Sequence, residues 1–271
     1  MSQIVKSSSI IVSTKNADAP QGGAWLLEDS QLFHPSLIFL KNPSTHYFTQ
    51  LNHQATIEVL LNHYRKAQPK AGHEYWATRV WTLIIWQPIY LSLYSVHMME
   101  QSFNLATLQQ RVEQASVYGY SIETSINNND KFQNPATTFQ LMTQGLKNLV
   151  DELYESINKL MPLNKANSYG LIADTIMHAL LAFKNITPLF NDQTLILMAE
   201  QWCQALGLVN RKGLFLSELK LIDIHSQQSQ LMIKRKSCCR HYLIDPDDLC
   251  SSCSRQCWQT RIKRQSNLSS I

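Results

Sequence analysis

Residues 134–162, NPATTFQLMTQGLKNLVDELYESINKLMP, decide the fold class of this chain. Apolar side chains recur there at steps of three and four residues, which is the spacing of one face of an amphipathic helix. These side chains are Phe139, Met142, Leu146, Leu149, Leu153, Ile157 and Leu160. Asn134 is a suitable cap, Pro135 suits the first helical position, and Pro162 ends the pattern. The stretch predicts a long helix with one buried face.

Similar patterns predict that most of the chain is helical. A second helix is expected after a cap at Ser168, and a third from a cap at Asn191 to a stop at Gly207. The apolar stripe of the second helix contains Leu171, Ile172, Thr175, Ile176, Ala179, Leu180 and Phe183. Earlier helices are expected at 52–67, 73–99 and 104–118.

Residues 80–99 carry no formal charge, and their length is sufficient to cross a bilayer. However, polar side chains such as Gln87 and His97 dilute the hydrophobicity of this stretch. A buried helix, kinked or broken at Pro88, explains it better than a membrane span. We therefore expect residues 80–99 to lie in the protein core and not to span a membrane.

Strands are expected in two places. Residues 219–224 and 231–233 flank a polar tract and predict a hairpin that leads into a cysteine-rich segment. Short apolar runs around Ile10 and at 37–40 are further candidates, and residues 127–130 predict an exposed loop. The predicted class is mainly α (α+β). The predicted organisation is a mostly helical domain at 1–225, followed by a cysteine-rich segment with a basic tail at 226–271.

The composition predicts a globular protein of a reducing compartment. Of 271 residues, 44% are hydrophobic and 16% are charged, which is enough apolar content for a sizeable core. No secretory signal is visible in residues 1–14, so six cysteines in a chain of this size argue against a disulfide framework. We expect a cytoplasmic protein. Any contact with a membrane is expected to be peripheral.

Charge is concentrated at the C-terminal end. Residues 231–271 carry eight lysines and arginines against three aspartates, whereas the whole chain has a net charge of only +4. The surrounding positive field should attract an acidic partner. The basic run at 261–264 also suits nucleic-acid phosphates, but no recognition helix or stacking platform accompanies it, so nucleic acid is not an expected partner.

Four cysteines near this end have the spacing of a metal centre. Cys238 and Cys239 are adjacent, and Cys250 and Cys253 follow in a C-x-x-C pair. Clustered thiolates select zinc, copper(I) or iron–sulfur clusters. Structural zinc fits the second pair, but adjacent side chains on an extended segment point to opposite faces and reach one ion only through a turn. A two-iron cluster offers four terminal thiolate positions and relaxes that demand. Spacing alone leaves both cofactors open.

The same segment resembles the FhuF family of ferric-siderophore reductases. The resemblance rests on KSCCRHY at 236–242 and DLCSSC at 248–253, which together give Cys-Cys, ten residues, Cys-x-x-Cys. Tyr242 matches a Cys-Cys-x-x-Tyr run common in that family. Ser254 stands where the family often has proline.

This resemblance implies a [2Fe-2S] cluster with Cys238, Cys239, Cys250 and Cys253 as ligands, and no catalytic residue beyond the cluster. Its implied function is one-electron reduction of a ferric siderophore, which releases Fe(II). The resemblance also implies that residues 1–225 are a siderophore-binding-type domain and that residues 226–271 are the [2Fe-2S]-binding segment. Cys257 has no place in the pattern and is expected to be a free thiol. Cys203, inside an apolar helix, is expected to be a buried hydrophobe.

The resemblance also implies an external electron donor such as a ferredoxin or flavodoxin, since no dinucleotide-binding motif is present. The cations expected to dock this donor are Lys234, Arg235, Lys236 and Arg240. Arg79, in an apolar run, and the neighbouring Trp81 are candidates for substrate contact. The alternative function is a zinc-binding module that interacts with nucleic acid or protein and has no redox activity.

Overall fold

The computed structural model describes residues 29–40, 47–48, 53–113, 115–122, 134–186, 190–225 and 228–268. This part of the chain forms seven α-helices: α1 (Ser30–Phe33), α2 (His53–Ala67), α3 (Gly72–Tyr94), α4 (Pro135–Leu160), α5 (Lys165–Ile186), α6 (Asp192–Ala205) and α7 (Trp258–Leu268). It also forms five strands: β1 (Tyr47–Phe48), β2 (Gln109–Glu113), β3 (Ser116–Ser121), β4 (Ser217–His225) and β5 (Gln228–Arg235). The predicted mainly α class, with a few strands and a hairpin, is confirmed.

The helices with strong end signals have the predicted bounds. Asn134 caps α4 by accepting a hydrogen bond from the backbone N–H of Ala136, and Pro135 occupies the first turn. Asn191 caps α6 in the same way, and Gly207 has the left-handed φ of +67° that ends the helix. Helix α2 also agrees with its prediction to within one residue.

Helix α3 is continuous through Pro88, so the predicted break there is wrong. Every residue of α3 from Gln87 to Tyr94 is buried, and this burial outweighs the backbone hydrogen bond that proline cannot donate. The helical geometry changes only at Ser95–Met99, a π-helical turn that ends at Glu100 with a φ of 53°. Core placement of this segment is confirmed. None of the helices in the described ranges has the length and apolarity needed to span a membrane.

The helix predicted at 104–118 is wrong. Leu105–Thr107 forms one 3-10 turn, and the chain then enters β2 and β3. Ala115 takes a φ of 59° in the tight connection, which places Val112 opposite Val117 in an antiparallel pair. Strand β1 pairs with the other edge of β2, giving the order β1-β2-β3. Pairing between strands here overrides the local helical spacing.

The start of α5 also differs from the prediction. The helix begins at Lys165, and Asn164 is the residue whose side chain accepts the N–H of Asn167. Ser168 lies inside the first turn and donates its hydroxyl to the Asn164 carbonyl. Both residues are common caps, and the earlier one is used.

Helix α3 lies at the centre of the core, against α4 and α5. Its buried Gln87 donates to the Gly119 carbonyl at 3.0 Å and accepts from Gln110, which joins the helix to the sheet. In the following π turn, His97 accepts the indole N–H of Trp202 at 2.9 Å. Burial lowers the pKa of His97 to about 3, so the ring is a neutral acceptor.

Strands β4 and β5 form the predicted hairpin, with Leu219 opposite Ile233. The hairpin lies against α5 and α6 and therefore delivers the cysteine segment to the helical core. The predicted domain boundary at 225/226 falls between these two paired strands and stays a prediction. In the run 37–40, Phe39 makes a single bridge to Tyr120. The run at Ile10 and the loop at 127–130 lie outside the described residues.

Candidate metal centre

The cysteine segment contacts α5 through an unusually close backbone approach. A Cβ atom built on Gly170 would lie 2.8 Å from the Cβ of Ser237, which is closer than such atoms are found. Only glycine therefore allows the residue before Cys238 to lie this close to the helix. Ser237 is itself buried, with 5% of its surface exposed. The segment is held against the core and does not project from it.

Asn167, one turn earlier on α5, holds the backbone of Cys238 from both sides. Its carboxamide oxygen accepts the Cys238 N–H at 2.8 Å, and its NH₂ group donates to the Cys238 carbonyl at 3.0 Å. A side-chain amide that pairs with both backbone groups of one residue replaces a strand partner. The first thiol is consequently positioned by a helix.

The second cysteine pair lies in a tight turn, and the residue after it is hydrogen-bonded to the residue before the first pair. Cys253 N–H donates to the Cys250 carbonyl at 3.0 Å and closes a tight turn. The hydroxyl of Ser254 donates to the carbonyl of Ser237 at 2.7 Å. The serine that departs from the family's usual proline therefore links the two halves of the cysteine segment.

All four of the predicted ligand thiols are free, and Cys250 interacts with both Cys239 and Cys253. Cys253 is buried, whereas Cys238, Cys239 and Cys250 are partly exposed. A hydrogen bond between Cys250 and Cys239 lowers the pKa of Cys239 and raises the pKa of Cys250. The nearby charge of Cys253 raises the pKa of Cys250 further. Repulsion between neighbouring thiolates is relieved when a metal cation binds them.

A buried cation faces these thiols. The guanidinium of Arg235, at the end of β5, has its Nη1 3.8 Å from the Cys250 sulfur. Its Nε lies 2.5 Å from Asp174 Oδ2, and the Ser237 hydroxyl bonds to the same carboxylate oxygen. Burial alone would lower the pKa of Arg235, but the charges of Asp174, Cys239 and Cys250 raise it, so the guanidinium stays charged.

Asp174 is the matching buried acid on α5. It is 3% exposed, and burial raises the pKa of its carboxyl while Arg235 and Ser237 act in the opposite direction. A buried charge is tolerated when it is both paired and hydrogen-bonded. The pair fixes the orientation of the guanidinium toward the thiols.

The predicted basic tail is helix α7, which contacts β5. Arg261 is buried and donates to the Arg235 carbonyl at 2.7 Å. The carboxamide of Gln265 bonds to both backbone groups of Ile233, at 3.2 and 3.5 Å. The helix therefore supports the strand that carries Arg235.

The four cations predicted to dock an electron donor lie in different surroundings. Arg235 is buried and is not available at the surface. Lys236 bonds to Glu218 at 2.5 Å, Arg240 lies 3.4 Å from Glu74, and Lys234 is partly exposed. Docking stays a prediction for these three.

Two other predicted contacts have clear positions. Arg79 is exposed on α3, with its guanidinium 5.7 Å from the centre of the Tyr64 ring. Trp81 is fully buried and donates its indole N–H to the Ser168 carbonyl at 2.9 Å. A role in substrate contact stays a prediction for both.

The remaining two cysteines are in the predicted environments. Cys203 is fully buried, and burial raises its pKa to about 12. Cys257 is exposed just before α7, where its sulfur lies 3.1 Å from the Thr260 hydroxyl.

Among the described residues, no three side chains of His, Cys, Asp or Glu converge on a site for a single metal ion.

Comparison with known families gives one match in this segment. Residues 235–255 match the model of the FhuF 2Fe-2S C-terminal domain, and this range starts at Arg235 and contains all four thiols. Over these residues the chain is similar to the FhuF family, as the sequence predicted. A [2Fe-2S] cluster is accordingly the cofactor to which this chain points, and the predicted cofactor is confirmed. No solved structure matches the chain.

The residues of the FhuF segment suit this cofactor. Four cysteines are the usual donor set of a [2Fe-2S] cluster, and none of the four is consumed in a disulfide. Cys239 already has thiolate character, and a fixed cation compensates the negative charge of the donor set. The charges and donors of the site thus fit the cluster.

The sequence prediction did not identify the side chains that position these thiols. Asn167, Gly170 and Asp174 all lie on α5, more than sixty residues before their partners. Asp174 alone had a local indication, as an acid among Ala173, Ile172 and Met177 on an apolar face. Such an acid requires a buried cation, but the sequence does not say which one.

Proposed function

We propose that this protein reduces the Fe(III) of a ferric siderophore by one electron, with Cys238, Cys239, Cys250 and Cys253 as the ligands of the cluster. The observation that supports this most is the match of residues 235–255 to the FhuF 2Fe-2S domain, which covers all four free thiols. When bound, a [2Fe-2S] cluster supplies electrons one at a time. One electron converts Fe(III) to Fe(II), which oxygen-donor chelators hold more weakly, so reduction releases the metal.

The role of Arg235 in this function is electrostatic. Its guanidinium is held by Asp174 at 2.5 Å and points toward Cys250, so it does not need to move when negative charge is added. A fixed cation in a buried site stabilises added negative charge more than a solvated cation does. The pair is therefore expected to favour the reduced state.

The exposure of the segment suits exchange of electrons with other molecules. Cys238, Cys239 and Cys250 are partly exposed, while only Cys253 is buried. We propose an acidic cytoplasmic electron carrier, such as a ferredoxin or flavodoxin, as the donor. Lys234, Lys236 and the exposed Arg255 lie on or beside the segment and supply positive charge for docking.

The test is a single-turnover reduction. Protein reduced with dithionite and freed of excess reductant is mixed anaerobically with ferric siderophores, and Fe(II) is trapped with a colorimetric chelator. We expect about one Fe(II) per cluster oxidised, as one-electron transfer requires. A reduced protein that is oxidised by ferricyanide, but by none of the ferric siderophores, would contradict the proposed function.

A further inference from the structure

A cavity of about 290 Å³ adjoins the thiol segment. It lies between the first turns of α3 and the connection from α4 to α5, and Arg240 closes it from the C-terminal side. Its lining consists of His73, Glu74, Thr78, Asn158, Pro162, Leu163, Asn164, Asn167 and Arg240. All of these residues lie in the described ranges.

Two residues of the cavity lining are directly connected to the first cysteine pair. Asn167 bonds to both backbone groups of Cys238, and Arg240 directly follows Cys239 in the chain. A molecule in this cavity would lie one side chain away from the first cysteine pair. A second cavity, of about 460 Å³, is lined by residues such as Leu83, Trp86 and Tyr118 and by none of the cysteine segment. Proximity to the cysteine pair therefore favours the smaller cavity as the place where a substrate binds.

The cavity presents mainly hydrogen-bond donors. The carboxamide oxygens of Asn158 and Asn164 already accept backbone N–H groups, at 3.0 and 2.9 Å, which leaves their NH₂ groups for a ligand. Arg240 adds a guanidinium, and Glu74, the one carboxylate of the lining, lies 3.4 Å from it. Such a wall suits a ligand whose surface consists of oxygen acceptors.

We propose that this cavity, between α3, the α4–α5 connection and Arg240, binds the metal-bearing end of an oxygen-donor Fe(III) chelate. The inference rests on the proposed function and adds the place where the substrate binds. At about 290 Å³ the cavity takes the ferric centre and its ligating groups, and the remainder of a larger siderophore lies outside. The electron passes from the reduced cofactor to Fe(III), giving Fe(II), and an external reductant restores the cofactor.

The test fills the cavity without touching the thiols. His73 is an exposed residue of its rim, and His73→Trp places an indole at the opening. Val59→Trp adds the same group at an exposed position of α2, away from the cavity, and is the matched control. Binding is measured by calorimetry on the oxidised holoprotein. The probes are Ga(III) complexes, which are not reduced, of a linear trihydroxamate, a tricatecholate and citrate.

We expect His73→Trp to weaken binding of the preferred Ga(III) chelate by about tenfold or more, and Val59→Trp to leave it unchanged. In stopped-flow measurements, oxidation of reduced His73→Trp by the ferric chelate should slow by a similar factor. Its oxidation by ferricyanide should be unchanged. Unchanged binding and oxidation in His73→Trp would overturn this inference alone. Failure of every ferric chelate to oxidise the wild-type protein would overturn the proposed function, and the inference with it.

Discussion

Neutralising one or the other member of the buried Arg235–Asp174 ion pair should shift the reduction potential of the cluster in opposite directions. Arg235→Gln removes the cation that lies 3.8 Å from the Cys250 sulfur, whereas Asp174→Asn removes the carboxylate that balances it. The first change destabilises added negative charge and should lower the midpoint potential. The second leaves the guanidinium uncompensated and should raise it. A merely structural role of the pair predicts no such opposition of sign.

The size of the shift follows from the distance. Two unit charges 3.8 Å apart interact by about 4.4 kcal/mol at an effective dielectric constant of about 20. That energy corresponds to an upper bound of roughly 190 mV for one electron, at about 2.3 kcal/mol per 100 mV. The added charge is spread over the whole cluster, and Asp174 offsets part of the field. We therefore expect about a third of the bound, roughly 60 mV, for Arg235→Gln.

The assay is an EPR-monitored redox titration of the two single variants and the double variant. Each single variant leaves a buried charge without its partner and should lose roughly 3–5 kcal/mol of stability, so cofactor content must be measured for each. The double variant Arg235→Gln/Asp174→Asn has no buried charge and should recover stability, with a potential between the two singles. Shifts of the same sign in both singles, at full cofactor content, would refute the electrostatic role.

Three further predictions concern the support of the site, the core and the spare thiol. Gly170→Ala should reduce iron incorporation and lower the free energy of unfolding by about 1–3 kcal/mol through overpacking. The control Gly145→Ala meets only an ordinary contact at 3.6 Å and should be neutral or stabilising. Equal effects of the two variants in denaturant unfolding would refute the close approach at Gly170. His97 is buried with a pKa lowered to about 3, so the unfolded chain binds its proton first and stability should fall by about 2 kcal/mol between pH 7.5 and 5. His97→Gln should flatten that slope relative to wild type in parallel urea titrations, and an identical slope would contradict the assignment. Cys257→Ser should retain the visible spectrum of the cofactor, whereas Cys239→Ser should abolish it; loss of colour in both would make the exposed thiol a ligand.

Local signals predicted the helices whose ends carry strong caps. Asn134 and Pro135 fix the start of α4 without reference to any other part of the chain. The helix predicted at 104–118 was wrong because β2 and β3 are specified by their pairing with each other. Residue spacing within one segment does not reveal such pairing. A kink or break was predicted at Pro88, yet burial on all sides keeps α3 continuous there.

The candidate site shows the same limit. The four thiols could be selected by spacing, because metal ligands from one short segment leave a local pattern. The side chains that position them could not, since Asn167 and Asp174 meet Cys238 and Arg235 only after α5 and the hairpin come together. The docking role predicted for Arg235 also depended on exposure, and the structure buries this side chain.

Metal and sulfide analysis of the anaerobically purified protein, with an EPR spectrum after dithionite, tests the central claim most directly. The account predicts about two irons and two acid-labile sulfides per chain, and a signal from a single unpaired electron that appears on reduction. Stoichiometric zinc in a colourless protein that gives no such signal would contradict it.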